Sequence, residues 1–236
     1  LRAELEAKGH KFRTHSDAEV LVHLYEDRGE AFVDALIGMF AIALWDRPRR
    51  RLLLVRDRLG QKPLFYAERA GELAFASEVK ALEVWPGLDT TLDPDALNHF
   101  LTYLYVPAPH SIYEGAKKLP PGHMLICDAG GARQLRSYWA VPTRADHDRD
   151  VGSFVEETRC LMQDAVRLRL RSDVPIGGFL SGGIDSTVVA GLMAGASPSA
   201  RTFTAGFDDP RFDERRAARA TAAAFGTEHL ETVVSP

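Results

Sequence analysis

The chain has 236 residues, 45% of them hydrophobic and 26% charged, enough for one or two soluble domains that each bury a core. A formal net charge of -4 gives no electrostatic ground for a nucleic-acid partner or an acidic membrane surface. No apolar run approaches the length that crosses a bilayer.

In chain order, Leu1 to Lys8 reads as the tail of a helix closed by Gly9. Ser16-Asp17-Ala18-Glu19 has the form of a capping box, and Val20, Leu21, Leu24 and Tyr25 follow at helical spacing. Helix is expected again over Ala31 to Leu36. Phe40–Trp45 and Leu52–Arg56 flank the turn signal Asp46-Arg47-Pro48-Arg49 and predict a β-hairpin of buried strands. A second hairpin is expected around Gly71, between Pro63–Tyr66 and Leu73–Ala76. Asp93 caps a helix that starts at Pro94 and runs to about Tyr103. Pro107 to Pro121 is loop-rich, and Met124 to Cys127 reads as a strand.

Composition shifts over Pro142 to Asp150, a polar stretch that marks a linker. Beyond it, Phe154, Thr158, Leu161, Met162, Ala165 and Val166 recur at helical spacing as a packing face. Strand and helix then alternate, which implies a parallel sheet. The two cysteines, Cys127 and Cys160, lie far apart and read as packing residues, and no histidine cluster shows metal-ligand spacing. Low cysteine use fits a reducing, cytoplasmic compartment. Basic runs at Arg47–Arg51 and Arg167–Arg171 read as a hairpin turn and a solvated helix face. Both ends of the chain read as cut from something longer.

The segment Val174–Val189 carries the most chemistry. An apolar strand runs into Ser181-Gly182-Gly183, and a helix opens at once. The glycines let the backbone turn tightly and approach a ligand, and the free N–H groups and dipole of a helix start favour an anion there. Ser181 and Ser186 can donate to phosphate oxygens. No Gly-Lys-Ser/Thr is present, so this is not the common P-loop. Asp185 would repel a phosphate unless a cation bridged the two, which points to pyrophosphate held through Mg2+. The plainer alternative is that Asp185 decorates a helical turn and the glycines connect strand to helix. The complete strand–SGGxDS–helix string outweighs it.

That string resembles the loop of the ATP pyrophosphatase (PP-loop) superfamily, whose members cleave ATP between the α and β phosphates to adenylate a substrate. With Arg167–Gly177 before it, and Thr202–Phe207, Phe212-Asp213-Glu214 and Phe225–His229 after it, it is similar to the asparagine synthetase family. The resemblance implies that Phe179, Leu180, Ser181, Gly182, Gly183, Asp185, Ser186 and Ala205 bind ATP, with Mg2+ at Asp185 through pyrophosphate. For Ala205 and Gly206 plain strand packing is an equal alternative. Thr187 stands where the family usually carries a second serine.

The front of the chain resembles the rear of the family's glutaminase domain, an N-terminal-nucleophile hydrolase of αββα layers. The matching pieces are Leu1–Leu5, Thr14–Val20, Phe40–Asp46, Arg56–Leu64, Phe75–Leu82 and Leu119–His123. The expected fold class is therefore α+β followed by α/β: an amidotransferase domain over 1–142, then the start of a PP-loop domain with a parallel sheet over 150–236. The resemblance gives Asp17 the α-ammonium of glutamine, a role compatible with the first turn of a capped helix. No catalytic residue is assigned: the family's nucleophilic cysteine lies at a mature N-terminus, neither internal cysteine replaces it, and the chain as given is not expected to hydrolyse glutamine. Arg56-Asp57-Arg58 and Lys62 read as a structural salt-bridge and turn element, and Glu78 and Lys80 as structural.

The implied reaction is glutamine-dependent asparagine synthesis by an ATP-driven ligase, with glutamine, aspartate and ATP as its small-molecule partners. It needs no nucleic acid or membrane and leaves a homodimer open. The alternatives are an amide-forming synthetase of the same scaffold (β-lactam synthetase or lasso-peptide cyclase type) or an inactive relative.

Overall fold

The computed structural model describes residues 1–143 and 149–235. The chain divides into two compact units, Leu1–Thr143 and Arg144–Pro236. The linker expected over Pro142–Asp150 lies, from 144 to 148, outside the described residues. Asp150 itself caps a helix of the second unit, its carboxylate accepting the N–H of Ser153 at 3.0 Å.

The first unit opens with helices α1 (Arg2–Ala7) and α2 (Asp17–Arg28). Gly29, at φ +58°, ends α2, and the helix expected over Ala31 to Leu36 forms as a 3-10 turn over Gly29–Ala35. The tighter winding buries Phe32 and Val33 beside Leu24 and Tyr25. The strands are β1 (Ala41–Asp46), β2 (Arg51–Arg56), β3 (Phe65–Arg69), β4 (Glu72–Ala76), β5 (Ala116–Lys118), β6 (His123–Asp128) and β7 (Arg133–Ser137). Helix α3 is Val79–Leu82, and α4 is Pro94–Tyr103, with Asp93 accepting the N–H groups of Asp95 and Ala96.

These strands make two antiparallel sheets, ordered β1-β2-β6-β7 and β4-β3-β5. The two-residue period of β2 and β6 sorts their side chains between two cores. Leu53, Val55, Met124 and Ile126 meet the helical layer of α1, α2 and the 3-10 turn. Leu54, Leu125 and Cys127 meet Leu64, Leu119 and Tyr66 toward the other sheet. Ala67, Ala116 and Leu82 of α3 close the far side. The order is helix, sheet, sheet, helix, the αββα layering implied for residues 1–142. Strand β1 corrects one expectation. It is an edge strand with alternating exposure, and Trp45 is 57% exposed. Strand β7 was not anticipated because Arg133-Gln134-Leu135-Arg136-Ser137 carries almost no apolar signal.

Asp46 ends β1 as a buried acid whose carboxylate accepts the backbone N–H of Arg49, the Arg49 guanidinium and the Tyr25 hydroxyl, each at 2.8–2.9 Å. The Arg49 N–H and guanidinium, with the tyrosine, hold its pKa down at about 2. A depressed carboxylate stabilises the fold above its unfolded pKa of about 3.9 and loses that contribution as pH falls through about 2. The thermal midpoint of this unit should therefore fall between those values, by less in Asp46→Asn. Glu19, also held at about 2, titrates in the same window and keeps the variant's curve from being flat. An unchanged curve in Asp46→Asn would remove Asp46 from the account.

In the second unit, α5 (Val151–Arg169) precedes β8 (Gly177–Phe179), α6 (Ile184–Ala196), β9 (Arg201–Phe207), α7 (Arg215–Phe225) and β10 (Glu228–Val234). The strands form a parallel sheet ordered β10-β9-β8, as the alternation predicted. Alanines at 190, 218 and 222 pack with Leu180, so small side chains bring α6 and α7 close to one face. Thr202, Thr204 and Gly206 point to that face and are buried, while Phe203, Ala205 and Phe207 point to the other and are exposed. Helix α5 corrects another expectation: none of its residues is buried, and Phe154, Leu161 and Met162 of its apolar stripe stay exposed. Among the described residues no helix is long and apolar enough to cross a membrane.

Candidate functional site

The loop from Leu180 to Gly183 leaves the carboxyl end of β8 and enters α6, the edge where parallel α/β sheets bind ligands. Two serines knot it. Ser186 Oγ lies 2.8 Å from Ser181 Oγ and accepts the Ser181 N–H at 3.2 Å, and Ser181 Oγ accepts the Gly183 N–H at 3.2 Å. Both hydroxyls therefore shape the loop before any ligand arrives, and a phosphate would compete for their protons. Gly182 has a steric reason: a Cβ there would stand 2.8 Å from the Cβ of Ala217 in α7.

Among the described residues, no acceptor meets the N–H groups of Gly182, Ile184, Asp185 or Ser186. They stand at the positive end of the α6 dipole, as an anion site requires. The Asp185 side chain sits in the first turn of α6, exposed, with no ion pair among the described residues. A free carboxylate beside free N–H groups suits a Mg2+ ion that shares oxygen ligands with a phosphate. A cavity of about 510 Å³ covers the loop, lined by Gly182, Gly183, Asp213, Glu214, Arg216 and Ala217. A separate cavity of about 370 Å³ lies at the opposite edge of the sheet, against Val174, Pro175 and Arg201, away from this chemistry.

The residues expected around adenosine separate by strand parity. Phe179 pairs with Phe203 and is 87% exposed on the same face as Ala205. Leu180 points the other way, 2% exposed, with its N–H donated to Phe203 O and its carbonyl accepting the Thr204 hydroxyl. Its side chain holds α6 and α7 to the sheet. Gly206 also serves packing: a Cβ there would lie 2.3 Å from Arg215 Cδ. Arg215 in turn grips Asp213 through two hydrogen bonds of 2.8 and 2.9 Å, which hold the Asp213 carboxyl below its usual range. Asp213 and Glu214 on the cavity wall were not singled out as site residues, and only the fold brings them to the loop.

In the first unit Asp17 is the first residue of α2, exposed, and makes no side-chain hydrogen bond among the described residues. The capping box differs from expectation. Ser16 accepts the Ala18 N–H at 3.2 Å, but Glu19 does not return to Ser16. Its carboxylate accepts the N–H groups of Arg13 and Thr14 and the Thr14 hydroxyl at 2.5–2.7 Å. That hydroxyl first, then the Arg13 N–H, depresses its pKa to about 2. Glu19 thus ties down the loop entering α2 and leaves the Asp17 carboxylate exposed.

The Arg56–Lys62 element is a turn, as expected, but among the described residues it holds no ion pair from Arg56, Asp57, Arg58 or Lys62. The Arg56 guanidinium donates to the carbonyls of Gly60, Lys62 and Leu119, and Asp57 accepts only N–H groups. Glu78 and Lys80 pair at 2.7 Å on the surface. Cys127 is a core residue, whereas Cys160, expected to pack, is exposed.

Comparison with known proteins gives the family. The glutamine amidotransferase domain family matches residues 1–139, and the asparagine synthase family matches 157–236. The chain is 38% identical over 239 residues to asparagine synthetase [glutamine-hydrolyzing] 1 of Bacillus subtilis, covering 100% of this chain and 37% of that protein. It is 38% identical over 243 residues to a putative asparagine synthetase [glutamine-hydrolyzing] of Mycobacterium tuberculosis, with the same coverage of 100% and 37%. Among solved structures, the glutamine phosphoribosylpyrophosphate amidotransferase of B. subtilis aligns with 98% of this chain and 42% of its own at 18% identity, TM-score 0.42. The chain thus spans 37% of the length of these curated relatives.

Proposed function

The chain belongs to the glutamine-hydrolysing asparagine synthetase family, and from that membership we propose that it supplies the ATP loop and one wall of the glutamine site of an asparagine-forming ligase. Residues 1–142 are the amidotransferase part and 150–236 the opening of the PP-loop part. Glutamine gives glutamate and ammonia in the first. In the second, ATP activates the aspartate side chain as β-aspartyl-AMP with loss of pyrophosphate, and ammonia displaces AMP to give asparagine. A cytoplasmic setting suits Cys127 and Cys160, both free thiols.

One observation carries the reading most directly: a Ser-Gly-Gly-Ile-Asp-Ser loop at a strand's carboxyl end, with N–H groups and an aspartate at the start of α6 that have no partner among the described residues. The N–H groups of Gly182, Ile184, Asp185 and Ser186 orient the phosphates, and Phe179 and Ala205 offer a flat face to adenine. Asp185 would hold Mg2+, which would neutralise phosphate charge as pyrophosphate leaves.

The test uses the full-length protein with glutamine, aspartate and ATP·Mg2+. Asparagine, glutamate, AMP and pyrophosphate should appear in equal amounts. Release of ADP instead of AMP would overturn the reading. So would turnover that ignores aspartate and needs another acid, the result that favours a β-lactam or peptide-cyclising synthetase.

Asp17 gives a sharper split. A charge-assisted hydrogen bond contributes about 1.5–3 kcal/mol. Asp17→Ala should therefore raise the KM for glutamine roughly 10- to 100-fold. Synthesis from free ammonia should continue at the parent rate. Equal loss with both nitrogen sources would mean that Asp17 serves only the helix.

A further inference from the structure

We propose that His10, His23 and Glu26 form a site for a single first-row divalent transition-metal ion, with Zn2+ the ion the donor set fits best. No sequence spacing announces it, because His10 lies in the loop after α1 while His23 and Glu26 lie one turn apart on α2. The fold brings one atom of each together. His10 Nδ1 is 3.2 Å from His23 Nδ1, His23 Nδ1 is 2.9 Å from Glu26 Oε2, and His10 Nδ1 is 3.5 Å from Glu26 Oε2. Two ligands about 2.05 Å from a tetrahedral ion stand roughly 3.3 Å apart, so the triangle already has the size of a coordination face. Without an ion, two imidazole nitrogens and a carboxylate oxygen converge on one point with few protons to share among them.

The surroundings have the features of a built site. His23 Nε2 lies 3.8 Å from Glu19 Oε1, beyond hydrogen-bond reach, so a carboxylate charge stands behind the ring while its Nδ1 faces His10 and Glu26. The Phe12 ring meets His23 edge-on at 4.6 Å and fixes its plane. The side chains of His10 and His23 are 20% and 16% exposed, while Glu26 at 55% leaves the triangle open to solvent. Two imidazoles and one carboxylate select against Mg2+ and Ca2+, which prefer all-oxygen ligands. The three protein ligands leave a fourth position for water. A bound ion would clip the loop after α1 to α2, the helix that carries Asp17.

The experiment is a titration of the full-length protein with Zn2+ and with Co2+, in excess Mg2+ so that the loop at Asp185 does not compete. One equivalent of either ion should bind at micromolar concentration, and Co2+ should give the visible absorption of a low-coordinate site. His10→Gln and His23→Gln should each weaken binding at least tenfold and remove that absorption. As a measurement that needs no variant, Zn2+ should protect both imidazoles of the parent protein from diethyl pyrocarbonate. Absence of saturable binding, binding that both histidine variants retain, or unprotected imidazoles would each overturn the assignment and leave a hydrogen-bonded cluster.

Discussion

Asp185→Ala in the full-length protein should lower aspartate-dependent release of AMP and pyrophosphate roughly a thousandfold, because a metal clamp on a phosphoryl group contributes several kcal/mol to the barrier. The side chain is exposed in the first turn of α6 and makes no ion pair among the described residues. Its removal therefore takes away only a favourable acid at a helix N-terminus, about 0.3–1 kcal/mol, and the unit should stay folded. Asp185→Asn separates charge from shape: it keeps a ligand oxygen but not the charge, so its half-saturating Mg2+ concentration should rise while glutamine hydrolysis is unaffected. ATP cleavage in Asp185→Ala at the parent rate would end the Mg2+ assignment and, with it, the strongest link between this loop and pyrophosphate release.

The second large effect concerns stability. Asp57→Ala should cost the first unit about 4 kcal/mol or more, a large part of the 5–15 kcal/mol typical of a domain. Asp57 is 1% exposed. Its carboxylate accepts four backbone N–H groups, from Phe40, Leu59, Gln61 and Lys62, at 2.9–3.3 Å. Its own N–H and carbonyl pair with Phe40, Gly60 and Gly122. Alanine would leave those part-buried donors without their shared acceptor, and an unmet donor costs about 1–3 kcal/mol wherever water does not replace the carboxylate. Asp57→Asn keeps one acceptor oxygen and should lose roughly half as much. Urea unfolding of the parent and both variants gives the comparison; a loss under about 1 kcal/mol in Asp57→Ala would mean that the turn satisfies its donors another way.

How much of this was legible beforehand depended on whether a signal was local. Asp93-Pro94 named its helix start, and the hairpins at Arg47–Arg50 and Gly71 followed from turn chemistry and flanking apolar runs. The SGGxDS string located the turn from β8 into α6 because strand, glycines and helix start are consecutive in the chain. Arg133–Ser137 stayed hidden as a strand because it pairs with β6 through its backbone while its side chains are mostly polar. The apolar period of α5 was real, yet periodicity shows which face is apolar and not what covers it.

By itself, then, the sequence determined the family, the alternation that makes the second sheet parallel, and the glycine turn that opens α6, since each is written in residues close along the chain. The tertiary structure alone decided the rest. Strand parity turned Leu180 into the core and left Phe179 and Ala205 on the open face. Folding put Asp213 and Glu214 beside Gly182 and Gly183, and aimed the Glu19 carboxylate at Thr14. It also set His10 3.2 Å from His23 across thirteen positions of chain. The physical reason is common to all of these: a side chain's chemistry depends on what lies across from it, and packing between distant segments chooses that neighbour.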